Sequence, residues 1–329
     1  MSNSHGPMST TCWTHDAPSS RVAVMTSSTG RGWLPGFLAL SAIWGASFLL
    51  IKIAVDAGVP PAWVALCRCL FGALTLWLVC AAQRASMPRD PRVWLHVAVV
   101  AVLLNSVPFT LLPLGETMVS SVVAGTWNAA TPLSTLVFAL LLLPGEHPNR
   151  ARLVGLATGF LGVLVVLRVW DGAGGGLAGG AACFAATVCY GAGFAYTRRF
   201  LSGRGESATV LSTMQITCAA VQLALVVPAL SGLPKWPGFG AAGALLLLGA
   251  AGTGFAYIMN FQVIRAAGPT VAATVTYVSP LWSTALGVLI LAEPVGWPVV
   301  VGGVLILAGV VLSRGGVPAF GRAKRVDIA

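Results

Sequence analysis

From residue 33 onward the chain is written as long apolar runs joined by short links that carry proline, glycine or charge. Ten runs stand out, at 33–51, 61–81, 93–112, 119–142, 153–169, 177–197, 208–230, 239–261, 269–292 and 297–313. A helix rises 1.5 Å per residue, so about 20 apolar residues cross a hydrocarbon layer roughly 30 Å thick. Lipid offers the backbone no hydrogen bonds, so such runs are expected to be helical. The pattern predicts an all-α polytopic membrane protein with ten transmembrane helices.

Composition agrees with this class. Of 329 residues, 57% are hydrophobic and 9% charged, against roughly 25% charged in soluble domains. The net charge of +10 raises nucleic acid as a partner, and the placement of the basic residues removes it. With the first run entering from the cytoplasm, Lys52, Arg168 and Lys235 fall outside and Arg68 falls within the second run. The rest of the 19 basic residues fall inside. That asymmetry follows the positive-inside rule and places both termini in the cytoplasm, in a multi-pass protein of the cell (inner) membrane. Residues 1–32, rich in Ser and Thr, are expected to be a disordered cytoplasmic tail, with Met25 an alternative start. Residues 314–329 form a basic cytoplasmic tail. Six of the seven cysteines lie in the runs and Cys12 in the tail, which argues against a disulfide framework.

The chain repeats itself. WGASFLLIK (44–52) is answered by YGAGFAYTR (190–198), and TPLSTLVFALLLLPGE (131–146) by SPLWSTALGVLILAEP (279–294). Gly155 and Gly162 follow Glu146 by 9 and 16 residues, as Gly302 and Gly309 follow Glu293. The expected domains are a five-helix repeat at 33–169, a Gly-rich linker at 170–176 and a second five-helix repeat at 177–313. An odd number of helices per repeat turns the second upside down, an arrangement used by secondary transporters with the substrate site where the halves meet.

These residues resemble the drug/metabolite transporter (DMT) superfamily, specifically its EamA-type ten-helix members. The resemblance rests on WGASFLLIK, on Arg68 in the second run, and on AYIMNFQVIRAAGPTVAATVTYVSPLWSTALGVLILAEP (256–294). It covers about 33–313 and implies an inner-membrane secondary carrier of small metabolites, often amino-acid-like or drug-like compounds and often moved outward, so an exporter is expected.

Candidate substrate-binding residues are polar groups at membrane depth. Arg68 is the one ionisable residue well inside a run, and a five-donor fork suits a carboxylate or phosphate. Ser47, Asn105, Asn128, Tyr190 and Gln215 join it, with Tyr257, Asn260, Thr276 and Tyr277 from the last third of the chain. Interhelical hydrogen bonding is the better account of any single one of them, while the group together points to a polar cavity. Lys52, Arg198, Glu146 and Glu293 mark helix ends or gates, and Pro132 and Pro280 are expected helix breaks. No acidic residue lies at the depth of Arg68, so coupling to protons or to a counter-substrate stays open.

The remaining classes lack their signatures. His5, His15, His96 and His147 form no HExxH, there is no GxSxG, and no Walker motif is present. No enzyme, catalytic residue, metal site or cofactor is expected. A channel or facilitator for a small polar solute, or a membrane scaffold, fits the hydropathy as well. The expected partners are a small-molecule substrate and the lipid bilayer, with a homodimer left open.

Overall fold

The computed structural model describes residues 33–142, 150–166, 176–201, 206–267 and 275–313. The chain divides into two units, 1–31 and 32–329, and every helix below belongs to the second. The elements are α1 (Leu34–Asp56), α2 (Pro61–Ala82), α3 (Pro91–Ala101), a π turn (Val102–Ser106), α4 (Val107–Glu116), α5 (Ser121–Asn128) and α6 (Thr131–Leu142). They continue with α7 (Arg150–Val166), α8 (Leu177–Phe200), α9 (Ala208–Ser231), α10 (Gly238–Gly249) and a second π turn (Ala250–Phe255). The last three are α11 (Ala256–Ala267), α12 (Val275–Leu291) and α13 (Trp297–Ser313). No strand occurs among the described residues.

Seven helical stretches have the length and apolar composition to cross a membrane: Leu34–Asp56, Pro61–Ala82, Pro91–Glu116, Ser121–Leu142, Leu177–Phe200, Thr209–Ser231 and Gly238–Asn260. Shorter apolar helices run over Leu153–Val166, Val278–Leu291 and Trp297–Gly309. Their outer faces are greasy. Leu225, Leu230 and Leu289 are 75%, 79% and 81% exposed, a surface that calls for lipid rather than water. The chain is a polytopic membrane protein.

Local chemistry sets the helix ends. Asp90 accepts the amide of Arg92 at 2.9 Å, and Pro91 opens α3 where its missing N–H costs nothing. Ser120 and Ser207 cap α5 and α9 by accepting the amides of Val123 and Val210, each at 3.3 Å. α1 runs five residues past its expected end at 51, where Ala54 and Val55 are buried in a packed cluster and Lys52 pairs with Asp56 one turn on at 2.9 Å. The fourth run divides at Ala129–Ala130, just before Pro132. Pro280, expected to break its helix, lies inside the continuous α12. There the hydroxyls of Ser279 and Ser283 donate back to the carbonyls of Val275 and Pro280, both at 3.0 Å, so neither hydroxyl is left unpaired inside the helix.

Glycines decide which helices touch. α7 lies against α13 through the four glycines spaced in the sequence. A Cβ on Gly162 would stand 2.7 Å from the Gly302 carbonyl oxygen, and one on Gly309 would stand 2.6 Å from that of Gly155. No larger residue fits without pushing the helices apart. Tyr190 of α8 packs against three separate buried clusters, centred on Trp127, Ile216 and Val97. It therefore sits where the packed bundles converge.

Candidate functional site

A cavity of about 350 Å³ opens beside Tyr190. Aromatic rings form much of its wall: Trp44, Phe48, Phe109, Tyr190, Phe194 and Tyr257. Between them stand Arg68 of α2, Asn128 of α5, Gln215 of α9 and Asn260 of α11, together with several hydroxyls. No aspartate or glutamate is among the described lining residues.

Arg68 is buried, only 7% exposed. Its Nε donates to the Thr253 hydroxyl at 2.9 Å, and its guanidinium lies 3.9 Å from the centre of the Phe109 ring. Glycines bring the two backbones together. A Cβ on Gly249 would lie 2.9 Å from the carbonyl oxygen of Arg68, and one on Gly72 would lie 2.9 Å from Cγ2 of Thr253. Thr253 belongs to the second π turn, whose extra residue re-aims the side chains it carries. Among the described residues Arg68 makes no ion pair.

The first π turn does matching work. Asn105 is fully buried, accepts from Gln215 Nε2 at 2.6 Å and donates to the Tyr257 hydroxyl at 3.3 Å. Its neighbour Ser106 donates to Gln222 at 2.7 Å, and Gln222 bonds the Ala98 carbonyl at 3.0 Å. A chain of amides and hydroxyls thus locks α9 and α11 to the turn.

The spacing of the lining residues is regular. Trp44 and Tyr190, Phe48 and Phe194, and Ile51 and Thr197 are each 146 residues apart. Arg68 and Gln215 are 147 apart, and Phe109 and Tyr257, Leu112 and Asn260, and Asn128 and Thr276 are each 148 apart. Asn105 and Thr253 share the 148-residue step, as do the starts of the two π turns. The bond from Arg68 to Thr253 therefore has a counterpart at corresponding positions, the bond from Gln215 to Asn105.

Of the residues proposed from sequence, Ser47, Arg68, Asn128, Tyr190, Gln215, Tyr257, Asn260 and Thr276 line this cavity. Asn105 stands behind it, bonded to two of them. The side chain of Tyr277 and the whole of Glu146 lie outside the described residues. Lys52 is bound away from the cavity, to Asp56 and to the Glu116 carbonyl at 3.0 Å. Arg198 is exposed in the last turn of α8. Glu293 accepts the Ser121 amide at 2.9 Å, the Ser121 hydroxyl at 2.8 Å and the Val122 amide at 3.1 Å. It thereby caps the start of α5 from a loop about 170 residues away. Tyr190 and Tyr257 supply part of the aromatic wall as named from the sequence. Thr253 and the wall residues Trp44, Phe48, Phe109 and Phe194 are not among the candidates the sequence singles out, although the repeat step from Asn105 points to Thr253.

Glu116, at the end of α4, is also fully buried, and neither of its carboxylate oxygens has a hydrogen-bond partner among the described residues. Its charged neighbours include Glu293, Lys52 and Arg68.

Segments 32–168 and 177–315 each match the model of the EamA-like transporter family. Over 262 residues the chain is 28% identical to an uncharacterized inner membrane transporter, YedA, of Escherichia coli (strain K12), covering 78% of this chain and 83% of that one. Protein PagO of Salmonella typhimurium (strain LT2) is 28% identical over 132 residues, 39% of this chain and 43% of that one. A protein of known crystal structure aligns with a TM-score of 0.60 at 21% identity, over 85% of this chain and 94% of its own, a likeness of fold alone. The chain belongs to the EamA-like transporter family and is a multi-pass inner-membrane transporter of small molecules.

Proposed function

We propose that this family member is a secondary carrier that exports small metabolites, amino-acid-like or drug-like compounds, by alternating access around the cavity at Arg68. The observation that carries the reading is the paired lining. Residues 33–169 and 177–313 act as two five-helix repeats set in opposite orientations, and each contributes corresponding side chains to one cavity. A single site walled equally by two inverted halves can be opened from either side by rocking one half on the other. The ten-helix count follows from assigning the three shorter apolar helices to the membrane. Both termini are cytoplasmic, on the charge asymmetry of the links.

The two ends of the cavity differ, which supports a cytoplasm-facing state. Leu201 and Leu211, near the cytoplasmic ends of α8 and α9 in this topology, line it. Their repeat counterparts at the other end, Val55 and Val64, are packed in a buried cluster and do not line it, whereas Leu201 and Leu211 pack in their own cluster and still border the cavity. There Lys52 ties α1 to the end of α4, and Glu293 ties the loop after α12 to α5. These contacts form the closed outer gate. Glu116 beside them is the carboxylate that couples transport to protons.

The test is a metabolite and drug panel in a host lacking this protein and then complemented with it. Complementation is expected to lower the accumulation of at least one solute, with Arg68→Ala abolishing the effect at equal membrane abundance. Unchanged accumulation of every solute would overturn the carrier reading.

A further inference from the structure

Among the described residues the cavity lining carries one formal charge, Arg68, and no carboxylate; its acidic neighbour Glu116 lies outside the lining and makes no ion pair with it. Arg68 lines the space, is almost fully buried, and makes no ion pair among the described residues. Its partners are neutral: a hydroxyl at Nε and an aromatic face under the guanidinium. A buried cation in that state is expensive, because the energy lost on leaving water is repaid only by a well-placed opposite charge. Among the described residues no side chain of the wall supplies that charge, and Glu116 makes neither a hydrogen bond nor an ion pair with Arg68. Within the cavity an incoming solute is the group that can pair with it.

The counterpart position sharpens this. Gln215 stands where the second repeat would place its own Arg68, and it is neutral and already engaged with Asn105. The site is thus close to symmetric in shape and one-sided in charge. An ammonium on the solute would find no carboxylate along the lining, and it would be repelled by Arg68. The aromatic walls would accept a flat or apolar body.

We propose that the cavity selects organic monoanions, a single acidic group on an aromatic or apolar body, which dock the acid on Arg68 and meet only neutral groups elsewhere. The assignment rests on the carrier reading only for its physiological meaning, since binding is measured on the protein itself. It separates this chain's cargo from zwitterionic amino acids and from cationic drug-like compounds.

Three probes sharing a phenyl-alkyl skeleton decide the matter: 3-phenylpropanoate (anion), phenylalanine (zwitterion) and phenethylamine (cation). Binding to the purified full chain in lipid nanodiscs is read from tryptophan fluorescence, with Trp44 in the wall as reporter, and from ligand-induced thermal stabilisation. The anion is expected to bind at least about tenfold more tightly than either other probe, the order that one charge-assisted contact provides. Arg68→Gln should erase that preference, and Arg68→Lys should keep part of it. The lysine variant serves as reference if the glutamine variant fails to fold. Equal or tighter binding of the zwitterion or cation, no binding of the anion at millimolar concentration, or an anion affinity indifferent to Arg68→Gln would each overturn the proposal. Anion binding without movement across proteoliposomes would instead count against the carrier reading and leave the monoanion site standing. Transport of the amine would do the reverse.

Discussion

Arg68 Nε donates to the Thr253 hydroxyl at 2.9 Å, joining residues 185 positions apart. At the matching positions Gln215 donates to Asn105 at 2.6 Å. Each bond fastens a long helix to a π turn, and both surround the same cavity. The polar core is therefore made twice from one plan, with a charge kept in only one copy.

Replacing Thr253 by valine keeps the shape and deletes the acceptor for a buried cation. A hydrogen bond to a charged group is worth about 1.5–3 kcal/mol. Thr253→Val is expected to lower the unfolding temperature in detergent and to weaken Arg68-dependent binding, while Thr253→Ser retains both. Thermal unfolding and ligand titration check this.

Glu293 receives two backbone amides and a hydroxyl at the start of α5. Loss of a cap costs about 0.5–2 kcal/mol. Glu293→Ala is expected to destabilise the protein by that order, and Glu293→Gln by less, since the amide oxygen still accepts. Equal stability of wild type and Glu293→Ala in thermal unfolding would contradict the capping role.

The α7–α13 contact leaves no space for a side chain at Gly162 or Gly309. Gly162→Leu is expected to separate the helices and cost more than the roughly 1–3 kcal/mol of ordinary overpacking. Gly243, with nothing within 4 Å of its Cβ position, is the control, and Gly243→Ala should be neutral or slightly stabilising. Folded yield and unfolding temperature separate the two.

Glu116 is buried without a partner for its carboxylate among the described residues. Glu116→Gln, which removes a charge that burial disfavours, is expected to leave stability unchanged or raise it. If Glu116 carries the coupling proton, the same variant loses solute accumulation driven by a proton gradient and keeps solute exchange. Unaltered gradient-driven accumulation in Glu116→Gln vesicles removes Glu116 from the mechanism.

Much of this was legible in the order of residues. Arg68 stood out as a lone charge in an apolar run, and Asn105, Asn128 and Gln215 stood out because amides are rare at that depth. Phe109 and Trp44 did not, because an aromatic ring within an apolar run has no contrast against its neighbours. Thr253 was hidden among glycines, and a mid-helix threonine more often bonds its own backbone, as Thr213 bonds the Thr209 carbonyl at 2.9 Å. Helix ends depended on pairings such as Lys52 with Asp56, which hydropathy does not weigh. The π turns at Val102–Ser106 and Ala250–Phe255 leave no mark in hydropathy at all.

Accessibility of two corresponding wall positions tests the central claim most directly. Ile51→Cys and Thr197→Cys are placed singly in a background without native cysteines and exposed to a membrane-impermeant thiol reagent from either face. One alternately opened cavity predicts that both wall positions are labelled from the cytoplasmic face, to which the proposed state opens, and that both are also labelled from the outer face once the carrier turns over. Labelling of the two positions from one face alone, whatever the conditions of turnover, would contradict alternating access.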